Sequence, residues 1–322
     1  MKGDKGKISD LAVRLAEFIR LTSSSLPEDA ERALKRALRR EKILKCQTAS
    51  PAATVLETIL ANVALARRQG TPVCQDTGTL TFFVDENLRK EVTPQVLGKA
   101  VQLATEKGWL RRNTIDSISG RSIDTNVCPG APVVHYVDGL KAPRGQIALL
   151  MKGGGSENMS CQFSLPDAAL GAGRDLEGVR RAVLATVQRA QGFGCAPGIL
   201  GVSIGGDRAS GFEEAKLQLL RNLDDTNADS RLARLERRIL REANSLGIGP
   251  MGLGGKTTLL AVKIGSRPRV PASFFVTVAY LCWAARRRAL CLDGVKALKA
   301  AKAPKALKAP KAPKALKGLK KR

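Results

Sequence analysis

The sequence predicts an α/β (α+β) fold, with a helix-rich N-terminal part followed by a mixed sheet and helices. Helical periodicity dominates residues 9–70, and short runs rich in β-branched and aromatic residues alternate with helical stretches from residue 79 onward. The chain has 322 residues, of which 43% are hydrophobic, so it is long and apolar enough to build a substantial core. A globular body of the α/β or α+β class is therefore expected.

Three helices are predicted ahead of the first strand. Residues 9–21 have a helical apolar period, residues 25–42 begin with Ser25 as a candidate N-cap, and a third helix opens at Pro51. Gly70 is the expected stop of that third helix, because glycine readily adopts the left-handed conformation that follows many helices.

The rest of the body alternates strands and helices. The strand-like runs are TLTFFVDE, PVVHYV, QIALLMK, GILGVSI, TTLLAVKI and SFFVTVAYLC. Helical patterns occupy residues 176–191, 209–222 and 230–246. No internal repeat is found, and residues 1–290 are assigned to one domain.

A basic tail follows this body. The net charge of the chain is +25, and residues 293–322 contain ten lysines and one arginine against one acid, so the tail supplies +10 and the rest of the chain +15. Lysine recurs at every third position with prolines between, which indicates a disordered or extended Lys/Ala/Pro-rich arm. Such an arm would bind nucleic acid without sequence preference and in a salt-dependent way; a purely solubilising tail is the alternative.

The sequence indicates a cytoplasmic location. The N-terminus has no apolar run of signal-peptide length, no segment reaches the roughly 20 apolar residues of a membrane span, and no membrane contact is expected. The chain has seven cysteines, an odd number, and in a reducing compartment they are not expected to form a disulfide framework.

Three cysteines lie in loops at the ends of predicted strands. Cys74 is in TPVCQDTGTL, Cys195 is in GCAPGILGVSIGG, and Cys282 is in YLCWAARRR. Their long spacing lacks any C-x-x-C unit, so spacing alone supports a metal site only weakly, and a buried thiol is the alternative. The single histidine, His135, alternates within a strand and is interpreted as a packed residue.

The segment KGGGSEN follows the strand QIALLMK. Its glycines Gly153, Gly154 and Gly155 would let backbone N–H groups approach an anion, and Lys152 would add positive charge. The segment matches neither the P-loop nor the Rossmann pattern, and a tight turn explains it equally well.

Taken in order, several long motifs resemble one family. The segments CQDTGT, KGGGSENMS, CAPGILGVSIGG, ARLERRILREANSLGIGPMGLGGKTTLLAVKI and CWAARR are similar to those of the α subunit, or α region, of the class I iron–sulfur fumarate hydratase and L-tartrate dehydratase family. The resemblance covers roughly residues 8–290 and leaves the tail outside it. It implies the fold of an Fe-S hydro-lyase α subunit.

The resemblance also implies a cofactor. In that family three cysteines hold a [4Fe-4S] cluster and leave one iron without a protein ligand, and these cysteines match Cys74, Cys195 and Cys282. An open iron suits a hydro-lyase, because it acts as a Lewis acid on substrate oxygens. The four cysteines that match no ligand position are Cys46, Cys128, Cys161 and Cys291.

The same resemblance assigns roles around a small dicarboxylate substrate. Asp76 would assist proton transfer and Gln75 would hydrogen-bond the substrate. Arg111 matches the arginine that grips a substrate carboxylate, with Arg112 as the alternative. The N–H groups of the three glycines at positions 153–155 would complete the anion pocket.

Two departures from the family pattern follow from the sequence. A catalytic histidine commonly lies twelve residues before the third cysteine, and Val270 occupies that position here. The β portion of the family has no counterpart after Cys282, so a separate β subunit and an α2β2 assembly are expected. The expected function is reversible hydration of fumarate to L-malate; the alternatives are an L-tartrate dehydratase α subunit, a nucleic-acid-associated protein and an inactive paralogue.

Overall fold

The computed structural model describes residues 9–42, 50–138 and 145–298. Its α-helices are α1 (Asp10–Ser24), α2 (Glu28–Lys42), α3 (Pro51–Gln69), α4 (Pro94–Glu106), α5 (Gly154–Asn158), α6 (Leu176–Ala190), α7 (Arg208–Gln218), α8 (Ser230–Ser245) and α9 (Leu292–Lys296). Its strands are β1 (Thr79–Asp85), β2 (Val133–Val137), β3 (Gln146–Lys152), β4 (Cys161–Ser164), β5 (Gly198–Gly205), β6 (Leu259–Arg267), β7 (Phe275–Leu281) and β8 (Arg286–Cys291). The prediction of a mixed α and β fold with a helix-rich start is confirmed.

The strands form two four-stranded sheets. The first has the order β2-β1-β3-β8, with β1 parallel to β2 and the other neighbours antiparallel. The second has the order β4-β7-β5-β6, with β5 parallel to β6 and the other neighbours antiparallel. The chain returns from the second sheet to the first between β7 and β8, at residues 282–285.

Each sheet is covered by helices that bury its apolar side chains. Helices α1 and α4 share a core with one face of the first sheet. On the second sheet, alternate residues of β7 enter two different cores: Val278 and Tyr280 face α6 and α8, whereas Ala279 and Leu281 lie in the core that contains α2, α3 and α7. This alternation follows from the period of two along a strand, and it buries both faces of the second sheet.

Local sequence signals explain several element boundaries. Pro51 is at the first position of α3, and Gly70 ends that helix with φ of 66°, as predicted. The candidate N-cap Ser25 is wrong: helix α2 starts at Glu28, and the Ser25 hydroxyl donates to the Leu21 carbonyl at the end of α1. Ser25 therefore closes the preceding helix.

The packed body continues past the predicted domain end. Val295 of α9 is fully buried in the core that α1 shares with the first sheet, and Arg14 donates a hydrogen bond to the Leu298 carbonyl. Residues 299–322 and Cys46 lie outside the described residues, so disorder of the tail stays a prediction. Within the described ranges no helix is both long and apolar enough to span a membrane.

Candidate active site around three thiols

The fold brings Cys74, Cys195 and Cys282 together. Cys74 and Cys195 pack against the apolar cluster that contains the buried Cys282, and the Trp283 N–H donates to the Cys195 carbonyl at 3.2 Å. Burial raises the pKa of the Cys195 thiol, and the charges of Cys74 and Asp76 raise it further. These thiols belong to three segments that are far apart in the sequence but adjacent in the structure.

The Cys74 loop lies across the end of strand β3. Gly78 has φ of +74°, and a Cβ at this position would lie 2.4 Å from the Lys152 carbonyl oxygen, so only glycine allows this approach. The loop exposes Gln75, whose Oε1 is 3.8 Å from the Cys74 Sγ. Gln75 therefore lies beside the thiol, in reach of a bound molecule.

Cys195 occupies a strained turn. Its φ of 54° is in the left-handed region, which a residue with a side chain seldom adopts. The turn is held against the ring of Tyr280, because a Cβ on Gly194 or Gly198 would come within 2.5 Å of that ring. The glycines flanking Cys195 thus place it by allowing the aromatic ring to touch the backbone.

The Asp76 carboxylate is held from two sides. Its Oδ1 accepts a hydrogen bond from Asn113 Nδ2 at 3.2 Å, and its Oδ2 accepts one from the Gly154 N–H at 2.7 Å. The Asp76 carbonyl accepts a third hydrogen bond from Arg286 Nη1 at 2.7 Å. The glycine segment predicted to bind an anion therefore contacts Asp76, and its Gly154 N–H is already engaged.

Asn126 organises the loop that carries the predicted carboxylate clamp. Its Oδ1 accepts from the N–H groups of Asn113 and Thr114 at 3.2 and 3.0 Å. Its Nδ2 donates to Thr105 Oγ1 at 3.1 Å and to the Arg111 carbonyl at 2.7 Å. The Asn126 amide thus makes four hydrogen bonds, three to this loop and one to Thr105 of helix α4.

The two candidate clamp arginines differ in their partners. Arg112 lies 3.7 Å from Asp124, whereas the exposed guanidinium of Arg111 has no hydrogen bond or ion pair among the described residues. The Arg111 N–H donates to Thr77 Oγ1, which in turn donates to Asn113. Arg111 is thus connected through Thr77 and Asn113 to Asp76, and its side chain is available for a ligand.

A cavity of about 460 Å³ opens beside Asp76. Asp76, Asn113, Asn126 and Gly154 supply polar groups to its lining. This volume is at the small end of the range for ligand pockets, and the lining mixes a carboxylate, amides and backbone N–H groups. The cavity therefore suits a small polar molecule.

Lys152 does not add its charge to this cavity, contrary to the expectation from the sequence. Its side chain is 2% exposed, and its Nζ contacts the Glu157 carboxylate, Ser160 Oγ at 2.7 Å and the Ser156 carbonyl at 3.3 Å. Burial lowers the pKa of Lys152 from 10.5 to about 8, although Glu157 opposes the shift. Lys152 therefore lies beneath the glycine segment as a paired, buried group.

Two other predicted positions are remote from the thiols. Val270 is 65% exposed in the loop before β7, whereas Cys282 follows the other end of that seven-residue strand, which is about 20 Å long at the usual rise per residue. His135 stacks on Phe83 at 5.1 Å, as a packed residue should, and burial lowers its pKa. Neither residue joins the candidate site.

The residues around the thiols fit an iron–sulfur cluster. Thiolates are the ligands that such clusters use. Two buried polar atoms close to the thiols, Tyr280 Oη and Arg286 Nε, have no hydrogen-bond partner in the described part of the chain. Among the described side chains no group of three or more His, Cys, Asp or Glu converges on a single metal ion. Three thiols close to two unpaired buried donors are compatible with a group larger than one ion.

Sequence reasoning missed four residues of the site: Thr77, Asn113, Asn126 and Arg286. Thr77 and Asn113 stand next to predicted residues, within CQDTGT and RRNT, so proximity in a motif could have drawn attention to them. Asn126 and Arg286 act through partners that are distant in the sequence. Arg286 stands within the motif CWAARR, but nothing in that motif indicates its partner.

Comparison with known proteins gives one family. The family described as fumarate hydratase (Fumerase) matches residues 13–290. A protein of Geobacillus stearothermophilus that is named a class I fumarate hydratase is 44% identical over 277 residues, which are 84% of this chain and 53% of that protein. This chain thus spans about half the length of that relative.

Two relatives named as tartrate dehydratase α subunits match over nearly their whole length. The Methanocaldococcus jannaschii protein is 33% identical over 287 residues, which are 87% of this chain and 96% of that protein. The L(+)-tartrate dehydratase α subunit of Escherichia coli is 28% identical over 286 residues, which are 88% of this chain and 91% of that protein. Since the family match spans most of the chain and these relatives agree with it, the chain belongs to the fumarate hydratase family.

Proposed function

We propose that this chain is the cluster-bearing α part of a hydro-lyase that interconverts fumarate and L-malate. The observation that carries the proposal is the convergence of three thiols from distant segments beside Asp76, which faces a cavity of small-molecule size. The relative named a class I fumarate hydratase is 44% identical, against 33% and 28% for those named tartrate dehydratase α subunits, and this order supports fumarate over tartrate.

Cys74, Cys195 and Cys282 would hold a [4Fe-4S] cluster. Three thiolates leave one iron of such a cluster without a protein ligand, and that iron would supply Lewis-acid polarisation of the substrate's oxygen atoms. Burial raises the pKa of the Cys282 thiol, whereas the Arg286 guanidinium lowers it. Arg286 therefore favours the thiolate form that a cluster requires.

Asp76 would carry the proton of the reaction. Hydration adds a hydroxyl to one carbon of the double bond and a proton to the next, and dehydration reverses both transfers. The hydrogen bonds from Asn113 and Gly154 fix the plane of the Asp76 carboxylate, so a proton held on either oxygen has a defined direction toward the cavity. Replacing Asp76 should slow proton transfer strongly while leaving the thiols in place.

Arg111 would bind one carboxylate of the substrate. A guanidinium can donate two parallel hydrogen bonds to a carboxylate, and Arg111 has no competing partner among the described residues, unlike Arg112 beside Asp124. Gln75, exposed next to Cys74, would donate a further hydrogen bond to a substrate oxygen. Together they would orient a dicarboxylate between the thiols and Asp76.

A separate β chain would complete the enzyme. Two relatives that align with this chain over 96% and 91% of their own length are named α subunits, a name that implies a separate β subunit. An α2β2 assembly would bring the remaining substrate contacts. These would include a group that replaces the family's catalytic histidine, whose position Val270 occupies in this chain.

The test is an anaerobic assay of the co-purified α and β chains. Iron and sulfide would be quantified first, and turnover would then be measured with fumarate, L-malate and L-tartrate. Turnover of fumarate and malate supports the proposal, and turnover of tartrate alone assigns the chain to tartrate dehydration. Cluster-loaded protein with no turnover of any of them would sink the enzymatic proposal and favour the inactive paralogue.

Nucleic-acid binding is a separate proposal for the tail. Its basis is the lysine at every third position of residues 293–322, which would release counterions from a polyanion. Retention on DNA would be measured against salt for the full chain and for a chain truncated after residue 298. Equal retention of both would remove the tail from consideration.

A further inference from the structure

Among the residues that the structure describes, Arg286 is a buried cation without an anionic partner. Its side chain is 1% exposed, and in the described part of the chain no carboxylate oxygen lies within 4.0 Å of its guanidinium. An arginine keeps its charge in proteins, and burying an unpaired charge is strongly unfavourable. The folded chain therefore requires an anion near Arg286 that its carboxylates do not supply.

The neighbouring arginine on the same strand shows what ordinary pairing looks like. Arg287 is 7% exposed, and its Nη2 donates to Asp29 Oδ2 in a buried ion pair, with a further hydrogen bond to the Leu220 carbonyl. Strand β8 thus holds two buried arginines in succession, one with a carboxylate and one without. Arg287 is accordingly a matched control for Arg286.

Arg286 lies where the three parts of the site meet. Its Nη1 donates to the Asp76 carbonyl at 2.7 Å, and its Nη2 would be 3.7 Å from a Cβ placed on Gly153. Its charge acts on Cys282, and its Nε–H has no hydrogen-bond partner among the described residues. The guanidinium therefore hydrogen-bonds the Cys74 loop, lies close to the glycine segment and is electrostatically coupled to the third thiol.

We propose that Arg286 is a positioning residue, whose charge is balanced by the thiolates of the cluster site and whose guanidinium holds the Cys74–Asp76 loop in place. The inference rests on the proposed function, because the balancing charge is that of the thiolates that would hold a cluster. Without that group, no described carboxylate oxygen lies within 4.0 Å of the Arg286 guanidinium. A bound cluster would supply negative charge beside Arg286 and acceptors for the unpaired Nε–H.

This role predicts that replacing Arg286 changes retention of the cluster without lowering the stability of the cluster-free fold. A neutral replacement removes an uncompensated charge from the cluster-free protein, so its thermal unfolding midpoint should not fall. The same replacement removes the counter-charge of the thiolates, and outer-shell changes of this kind typically weaken metal retention about 10- to 100-fold. Loss of a nearby positive charge should also make the cluster harder to reduce, which lowers its midpoint potential.

The experiment compares wild type, Arg286→Gln, Arg286→Lys and the control Arg287→Gln, each purified and reconstituted without oxygen. Iron and sulfide per folded chain, resistance of the cluster to a chelator, midpoint potential and the unfolding midpoint of the cluster-free chain would be measured. We expect Arg286→Gln to lose cluster about 10- to 100-fold faster with an unchanged or higher cluster-free unfolding midpoint. Arg286→Lys, which keeps the charge, should retain cluster and potential close to wild type.

The control should behave in the opposite way. Arg287→Gln leaves the buried Asp29 carboxylate without its cationic partner, so its cluster-free chain should unfold at a lower temperature while the potential of its cluster stays that of wild type. Wild-type retention and potential in Arg286→Gln would overturn the inference, as would equal cluster loss in Arg286→Lys and Arg286→Gln. Wild type that binds no iron would instead refute the proposed function, before any variant is compared.

Discussion

Asn126→Ala is expected to destabilise the fold and to loosen residues 111–114, the loop that carries Arg111 and is called the clamp loop below. The substitution removes four hydrogen bonds: two accepted from the N–H groups of Asn113 and Thr114, and two donated to Thr105 and the Arg111 carbonyl. At about 1 kcal/mol of net stability for each bond, the free energy of unfolding should fall by about 4 kcal/mol. The Asn126 φ of 58°, which asparagine tolerates better than alanine, adds to the loss.

Guanidinium unfolding and amide hydrogen exchange would measure both effects. The Asn113 and Thr114 amides lose their acceptor in Asn126→Ala, so they should exchange faster than in wild type relative to the global unfolding free energy. A fall in the unfolding free energy of less than about 1 kcal/mol, with both amides as protected as in wild type, would refute this account of the loop.

Asn227→Ala, in the connection between α7 and α8 beside the second sheet, provides the matched control. The Asn227 amide donates to Glu236 Oε1 at 2.9 Å and to the Ile264 carbonyl at 2.7 Å, and it accepts from the Asp229 N–H at 3.1 Å. Three lost bonds should cost about 3 kcal/mol of unfolding free energy. Exchange at the clamp loop should follow only the global change in this variant, because Asn227 makes no contact with that loop.

Three further predictions concern the site and the single histidine. Cys74→Ser should lose the cluster, whereas Asp76→Asn should keep wild-type iron content and lower fumarate hydration by about 10²- to 10⁴-fold, the usual contribution of general acid–base catalysis; hydration at the wild-type rate by loaded Asp76→Asn would exclude Asp76 from proton transfer. Gly78→Ala places a methyl group 2.4 Å from the Lys152 carbonyl at φ of +74° and should cost at least about 2 kcal/mol in guanidinium unfolding, which an unchanged midpoint would contradict. Burial lowers the pKa of His135 from 6.5, so its NMR titration, the only histidine signal of the chain, should have a midpoint below 6.5. Since the pKa of His135 is lower in the folded than in the unfolded state, its contribution to stability is full above pH 6.5 and is lost as pH falls through the folded-state pKa. His135→Gln should remove this dependence of the unfolding free energy on pH. An unchanged pH profile of stability in this variant would contradict the lowered pKa.

Elements with clear end signals were predictable from the sequence. Pro51 and Gly70 mark both ends of α3, and the run QIALLMK coincides with β3. Helix α4 was missed, although Thr93 caps it and Pro94 occupies its first turn, because its apolar period is interrupted by a glycine and polar residues.

Strand β8 was missed for a tertiary reason. Its sequence RRRALC begins with three arginines, a composition typical of exposed segments, yet Arg286 and Arg287 are buried. They can be buried because Asp76, Asp29 and Leu220 supply acceptors from three distant segments. No local pattern encodes those partners.

The residues of the candidate site likewise include some that the sequence predicts and some that depend on tertiary contacts. The three cysteines could be selected only through the family resemblance, because their spacing far exceeds that of local metal motifs. Lys152 was expected at the surface of the anion pocket, and its burial follows from the way the helix α5 places Glu157 beneath the glycine segment. What the sequence could not supply was the identity of the groups that meet across the two sheets.

The position of the thiols between the two sheets has a consequence for how the protein matures. Cys74 lies in the loop that leads to β1 of the first sheet. Cys195 precedes β5 and Cys282 follows β7, and both of these strands belong to the second sheet. A chain with only one sheet formed presents at most two of the three thiols in place. Binding of a cofactor by all three thiols would therefore require both sheets to be folded. Once bound, the cofactor would crosslink the two sheets, and its binding free energy would add to the stability of their packing.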